Sequence, residues 1–207
     1  MTEKNEQIGD LELVAKVKAG EKKAFSELVR RHQKALLRLS LRFVRDLDVA
    51  EDVVQDSFIK AYERLASFEA RASFKSWLFQ IAVNTARNKL REKKEGSIDI
   101  EYVHLAVAPR AESALVHNSV ASIINRYVNE LPLRQKTALM LRIYDDMSFK
   151  EIADVMECPY DTAKANYRHA LLKLRSDLEQ SEELKNWTEE VGGFVQEMSR
   201  KVMEAEA

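Results

Sequence analysis

The chain has 207 residues, 45% hydrophobic and 32% charged, with 33 Lys and Arg against 34 Asp and Glu for a formal net charge of −1. That length and balance suit one or two small helical domains with real cores, and only 5 Gly and 3 Pro argue against a Gly-rich sheet protein. A single cysteine excludes an internal disulfide, no apolar run has transmembrane length, and residues 1–10 lack the cationic-then-apolar pattern of a leader, so membrane insertion is not expected and a cytoplasmic location is.

In chain order, the first helical pattern is the stripe Leu11, Val14, Ala15 and Val17, continued by Phe25, Leu28 and Val29. The second begins at Asp48. Ala50, Val53, Val54, Phe58, Ala61 and Leu65 define one apolar face, while Asp48, Glu51, Asp52, Gln55 and Asp56 make the opposite face acidic. Like charges three and four residues apart repel by about 0.2–0.5 kcal/mol per pair, and a helix N-terminus offsets part of that cost. Two readings stay open: a solvated helix start, or a docking surface for a basic partner.

A third pattern follows at residues 68–94. Between Arg71 and Lys94 there are seven Lys or Arg and a single acid, Glu92, so this stretch is locally basic in a nearly neutral chain. Phe68, Phe74, Trp77 and Phe79 are interleaved with it. Flat rings to stack unpaired bases and cations to hold a backbone are what single-stranded DNA requires. Leu78, Ile81, Ala82 and Val83 surround those rings at helical spacing, which places Phe74 and Phe79 in the core and leaves Phe68 and Trp77 divided between core and surface.

Residues 95–117, with Gly96 and Pro109 and no sustained period, read as a linker. Beyond it, residues 131–175 carry two helical patterns separated by a turn. Ser148 stands as an N-cap with Glu151 three places on, and Phe149, Ile152, Ala153, Val155 and Met156 supply a buried stripe. Glu157, Cys158 and Pro159 interrupt it, with Cys158 read as a small apolar residue rather than a redox group. A second helix then runs from about Tyr160. Its inner face is Ala163, Tyr167, Ala170, Leu171 and Leu174, which leaves Thr162, Lys164, Ala165, Asn166, Arg168 and His169 at or near the outer face. This is either a helix-turn-helix entering a major groove or a helical hairpin with a basic solvated side.

The acidic extension after Ser176 repeats Leu184, Trp187, Val191, Phe194, Val195 and Met198 at helical spacing around Gly192 and Gly193. It reads as a cap on the second domain, with an intramolecular brake as the alternative. The four histidines, His32, His104, His117 and His169, are scattered, no Cys/His spacing suits zinc, and no phosphate-binding loop is present. No enzyme activity, cofactor or metal is therefore expected.

These segments together resemble the extracytoplasmic-function sigma factors, the smallest class of bacterial sigma subunits. The pieces are residues 10–13, residues 20–25 with Arg30 and Arg31, the helix from Ala50 to Phe58, residues 74–78 with Ile81, Ala82, Val83 and Asn84, then Leu131 with Pro132, and residues 148–153. They cover nearly all of the first 175 residues in the family's order. The resemblance implies an all-α chain: a promoter-melting and −10-recognition domain at 1–94, a flexible linker at 95–117, a helix-turn-helix −35-recognition domain at 118–177 and a C-terminal helical extension at 178–207. It implies that the chain binds core RNA polymerase, directs it to promoters and helps melt the −10 region. The alternative from another class is a helix-turn-helix regulator that binds duplex DNA without polymerase.

By the same resemblance, Asp48, Glu51, Asp52, Gln55 and Asp56 form the polymerase-docking face. Phe68, Arg71, Lys75, Trp77 and Asn84 meet the single-stranded −10 bases, and Arg87, Asn88 and Arg91 hold the opened strand. Thr162, Lys164, Ala165, Asn166 and Arg168 meet the duplex −35 element. The family pattern at residues 161–166 is Gly, Thr, a β-branched residue, Lys or Arg, Ser, Arg, whereas this chain has Asp161, Thr162, Ala163, Lys164, Ala165 and Asn166. The promoter sequence is thus not readable from the residues. An anti-sigma partner is expected as well.

Overall fold

A computed structural model of the chain describes residues 8–95 and 123–181, with the single positions Gly193 and Arg200. The chain divides into two units, Met1–Val103 and His104–Ala207, and among the described residues the regular structure is helical, with no strand. Apart from Glu95, the expected linker lies outside the described residues, as does the extension beyond Ser181 apart from those two single positions.

The first unit contains α1 (Asp10–Lys18), α2 (Lys22–Val44), α3 (Leu47–Arg64), a 3-10 turn (Leu65–Ser67) and α4 (Phe74–Glu95). Asp10 and Glu12 in the first turn of α1 and Lys16 and Lys18 in its last complement the helix dipole. Gly20, at φ 101, allows the tight turn into α2, a conformation a β-carbon would strain. Arg45 ends α2 in the left-handed region, and the Asp46 carboxylate then caps α3 by accepting from the Val49 amide at 3.1 Å. Ser73 does the same for α4, its Oγ accepting from the Ser76 amide at 3.0 Å.

Helices α2, α3 and α4 pack pairwise, and α1 packs on α2. Leu28, Leu36, Leu39, Ala50, Val53, Leu78 and Phe79 are fully buried between them. The apolar stripe expected on α3 is the buried one, with Val54 at its half-exposed margin. Buried hydroxyls are satisfied within their own helices, Ser40 donating to the Leu36 carbonyl and Ser57 to that of Val53. Helix α1 departs from expectation. Leu13 and Val14 are its buried residues, while Leu11 is 53% exposed and Ala15 is exposed too. The reason is that α1 leans on α2 along a narrow strip, and its Leu11 side borders an open cleft against residues 66–70.

The second unit contains a helix over residues 123–130 (α5), α6 (Leu133–Tyr144), α7 (Phe149–Met156) and α8 (Tyr160–Gln180). The capping box expected at Ser148 and Glu151 is formed in both directions. Helix α7 ends at Glu157 in the left-handed region, where the amide of Cys158 reaches back to the Ala153 carbonyl at 3.1 Å. Pro159 falls at the N-cap of α8, one position before the first turn. The expected inner face of α8 is buried, at 0–3% exposure from Ala163 through Leu174. Phe149 contacts both Tyr160 and Tyr167 of α8, at ring separations of 6.3 and 5.4 Å, and fixes the angle between the two helices from the α7 side.

Candidate polymerase and promoter interfaces

Three surfaces hold the candidate residues. On α3, Asp48, Glu51, Asp52 and Gln55 are exposed and Asp56 is half-buried, with Lys89 of α4 reaching its carboxylate at 3.5 Å. Four of the five are thus free of the core, and the fifth is partly neutralised by its own unit. The sequence reading missed what continues that face. Ile59 and Tyr62, at 49% and 42% exposure, follow Asp52 and Gln55 at spacings of seven, which puts them on the same helical stripe. Apolar side chains left in water beside carboxylates mark a surface suited to a partner.

The second surface is the loop at residues 68–73 and one face of α4. Phe68, divided between core and surface by its sequence, lies on the core side at 6% exposure, its ring inclined 37° to Trp77 at 4.9 Å and edge-on to Phe74 at 6.1 Å. Trp77 is half-buried, so it is the ring with a face left over. From Trp77, residues Asn84, Asn88 and Arg91 recur at seven, eleven and fourteen positions, which aligns them on one stripe, with Arg87 beside it. Asn84 is half-buried and Arg87, Asn88 and Arg91 are exposed. Two candidates fall elsewhere. Lys75 stands on the opposite side of α4 with its Nζ 5.3 Å from the Phe79 ring, and Arg71, fully in solvent, pairs with Glu69 at 2.6 Å.

The third surface is α8. Thr162, Ala165, Asn166 and His169 share a stripe on its outer side, while Lys164 and Asn166 lie at opposite edges of the exposed arc. The Asn166 amide donates to the Thr162 carbonyl at 2.8 Å. No side chain caps the first turn of α8, which leaves its leading amides pointing outward with the positive end of the dipole. No group of acids, histidines and cysteines that could hold a metal occurs among the described residues, nor does a helix long and apolar enough to cross a membrane.

Residues 28–95 match the family Sigma-70 region 2, and residues 122–174 match Sigma-70 region 4. A region 2 bundle and a region 4 helix-turn-helix in one chain define a transcription-initiation factor of the sigma-70 type. The RNA polymerase sigma-H factor of Pseudomonas aeruginosa is 35% identical over 75% of this chain and 86% of its own length. The ECF RNA polymerase sigma-E factor of Haemophilus influenzae is 37% identical over 77% and 90%. Among solved structures, CnrH in complex with the cytosolic domain of CnrY is 27% identical with a TM-score of 0.62, covering 83% of this chain and 99% of that one. The sigma factor RpoE of Bartonella quintana, solved with the anti-sigma factor NepR, has the same fold at a TM-score of 0.61 and 23% identity over 77% of this chain and 99% of its own. The chain belongs to the sigma-70 family, in its extracytoplasmic-function group. It is a sigma factor: it binds core RNA polymerase, directs it to promoters and helps to melt the −10 region. A stand-alone duplex binder is set aside, because it has no use for the region 2 match.

Proposed function

We propose a division of labour among the three surfaces. Asp48, Glu51, Asp52 and Gln55 dock on basic residues of core polymerase, with Ile59 and Tyr62 extending the contact through apolar area. Trp77 stacks an unpaired base at the start of α4, Asn84 contacts bases along the same stripe, and Arg87, Asn88 and Arg91 hold the phosphates of the opened strand. Phe68 acts from beneath, as the ring that backs Trp77. On α8, Lys164 and Arg168 serve phosphates while Ala165 and Asn166 face base edges. The chain acts by binding rather than by catalysis, in the cytoplasm with the polymerase, and is held in check by an anti-sigma partner.

The alignment of Trp77, Asn84, Asn88 and Arg91 on one accessible stripe of α4 carries this reading, because aromatic, amide and cation in line are what an unstacked strand requires. The test is holoenzyme assembled from the chain and core polymerase on a promoter mapped in cells. Asn84→Ala with Arg87→Ala touches no fully buried side chain, so the bundle should keep its circular dichroism. Closed complexes are expected to form while strand opening fails. Full permanganate reactivity of the −10 thymines in that variant would refute the assignment.

A further inference from the structure

We propose that α1 is part of the −10 apparatus, with Lys18 as a positioning residue that sets the backbone of the loop at residues 68–73. The proposal rests on the promoter-strand role given above to that loop and to α4. Helix α1 lies before the span matched to Sigma-70 region 2, which begins at residue 28. Yet Lys18 Nζ donates to the Phe68 carbonyl at 2.6 Å, across 50 residues of sequence. Between α1 and the loop lies an open cleft of about 560 Å³, lined by Leu11, Ala15 and Lys18 on one side and Ala66, Phe68 and Glu69 on the other. The Lys18 ammonium spans that cleft and ties the loop to α1 by a side-chain hydrogen bond to its backbone.

The loop needs such a hold. Ala70, two residues past the bonded carbonyl, sits at φ 56, a left-handed conformation that its β-carbon opposes. Residues in such regions persist where surrounding contacts fix them. The peptide that Lys18 grips is also the one that carries the Phe68 ring, which is buried against the half-exposed Trp77. One charge-assisted hydrogen bond therefore fixes both the path of the loop and the backing of the ring offered to a base.

Lys18→Met keeps the aliphatic stem along the cleft and removes the donor; Lys18→Arg restores a cationic donor. With holoenzyme on a mapped promoter, Lys18→Met is expected to lower −10 opening roughly tenfold, the lower end of the effect of losing one bond to a charged group. Core-polymerase affinity and duplex −35 binding should stay unchanged, Lys18→Arg should recover most of the loss, and the loss should shrink on a promoter altered in its −10 bases. Unimpaired opening by Lys18→Met overturns the proposal. So does an equal loss on native and altered −10 sequences, or a loss that tracks a fall in melting temperature, because either assigns Lys18 to folding alone. Asn84→Ala with Arg87→Ala, run in parallel, separates the two levels. If that pair blocks opening while Lys18→Met does not, the Lys18 latch alone fails; if the pair opens fully, the role of α4 fails with it.

Discussion

Asn166 shows how a local bond and recognition can share one side chain. One N–H of its Nδ2 is engaged with the Thr162 carbonyl at 2.8 Å, which orients the amide and leaves the second N–H and Oδ1 for a base edge. Those two groups suffice for a bidentate contact to adenine, worth about 1–3 kcal/mol. Asn166→Ala is therefore expected to lower affinity for the native −35 element roughly tenfold, and by much less for an element altered at that base. Alanine is the better helix former, so the melting temperature should not fall. Equal losses on both elements, measured by fluorescence anisotropy, would place Asn166 on the phosphate backbone. Cys158 is a second case in which surroundings decide. Burial pushes its thiol above the ordinary range, against the opposing pull of Arg134, and this keeps it a thiol rather than a reactive thiolate.

Helix α3 carries its acidic face at a cost, because carboxylates crowded into two turns repel one another. Removing them should separate docking from folding. Asp52→Ala with Gln55→Ala relieves repulsion and raises helix propensity, so α3 should become no less stable, while core-polymerase affinity falls roughly tenfold. An unchanged titration against core enzyme would exclude this face as the docking site. Helix α2 makes the contrasting use of charge. Hydrogen bonds from Arg30 and then Arg31 hold the Glu27 carboxyl well below its ordinary value, from 4.5 to about 2. Arg31 also reaches Asp10 of α1 at 3.1 Å, and His32 meets the other oxygen of that carboxylate at 2.6 Å. A carboxylate with a lowered folded value stabilises above its unfolded value, here about 4.5, and loses that contribution as pH falls toward 2. The melting temperature should thus drop across this window in the native chain and less steeply in Glu27→Gln, with salt weakening the difference because the pairs are partly exposed. Parallel slopes would show that Glu27 does not couple to folding.

At the scale of the whole molecule, the open matter is the acidic extension after Ser181. Near the end of α8 Leu178 is buried at 2% exposure, and Ser181, just past the helix, at 6%. The apolar stripe of the extension has the pattern of a packing surface, so a cap is expected rather than a brake. Burying even one large apolar side chain contributes about 1.5–3 kcal/mol, and each kcal/mol moves the melting temperature of a unit this size by several degrees. Deleting residues 186–207 is therefore expected to lower the melting temperature by on the order of 10 °C without raising transcription. Higher promoter occupancy at an unchanged melting temperature would establish the brake instead.

Periodicity determined the buried faces of α3 and α8, where partner helices cover the stripe, and the capping box at Ser148 was legible from local spacing. The family's motifs, in order, determined the class of protein. What the sequence left open were choices between neighbours in space. Phe68 and Trp77 are equally aromatic, and only the bundle decides that one ring is buried beneath the other. Leu11 has the spacing of a core residue but no helix to cover it. Lys75 has the charge of a strand contact but faces away from the stripe, and Lys18 has no motif at all until the fold brings the Phe68 carbonyl to it. A local pattern fixes which side of a helix is apolar; which side chains meet, and which remain free to meet a partner, depends on contacts between residues far apart in the chain.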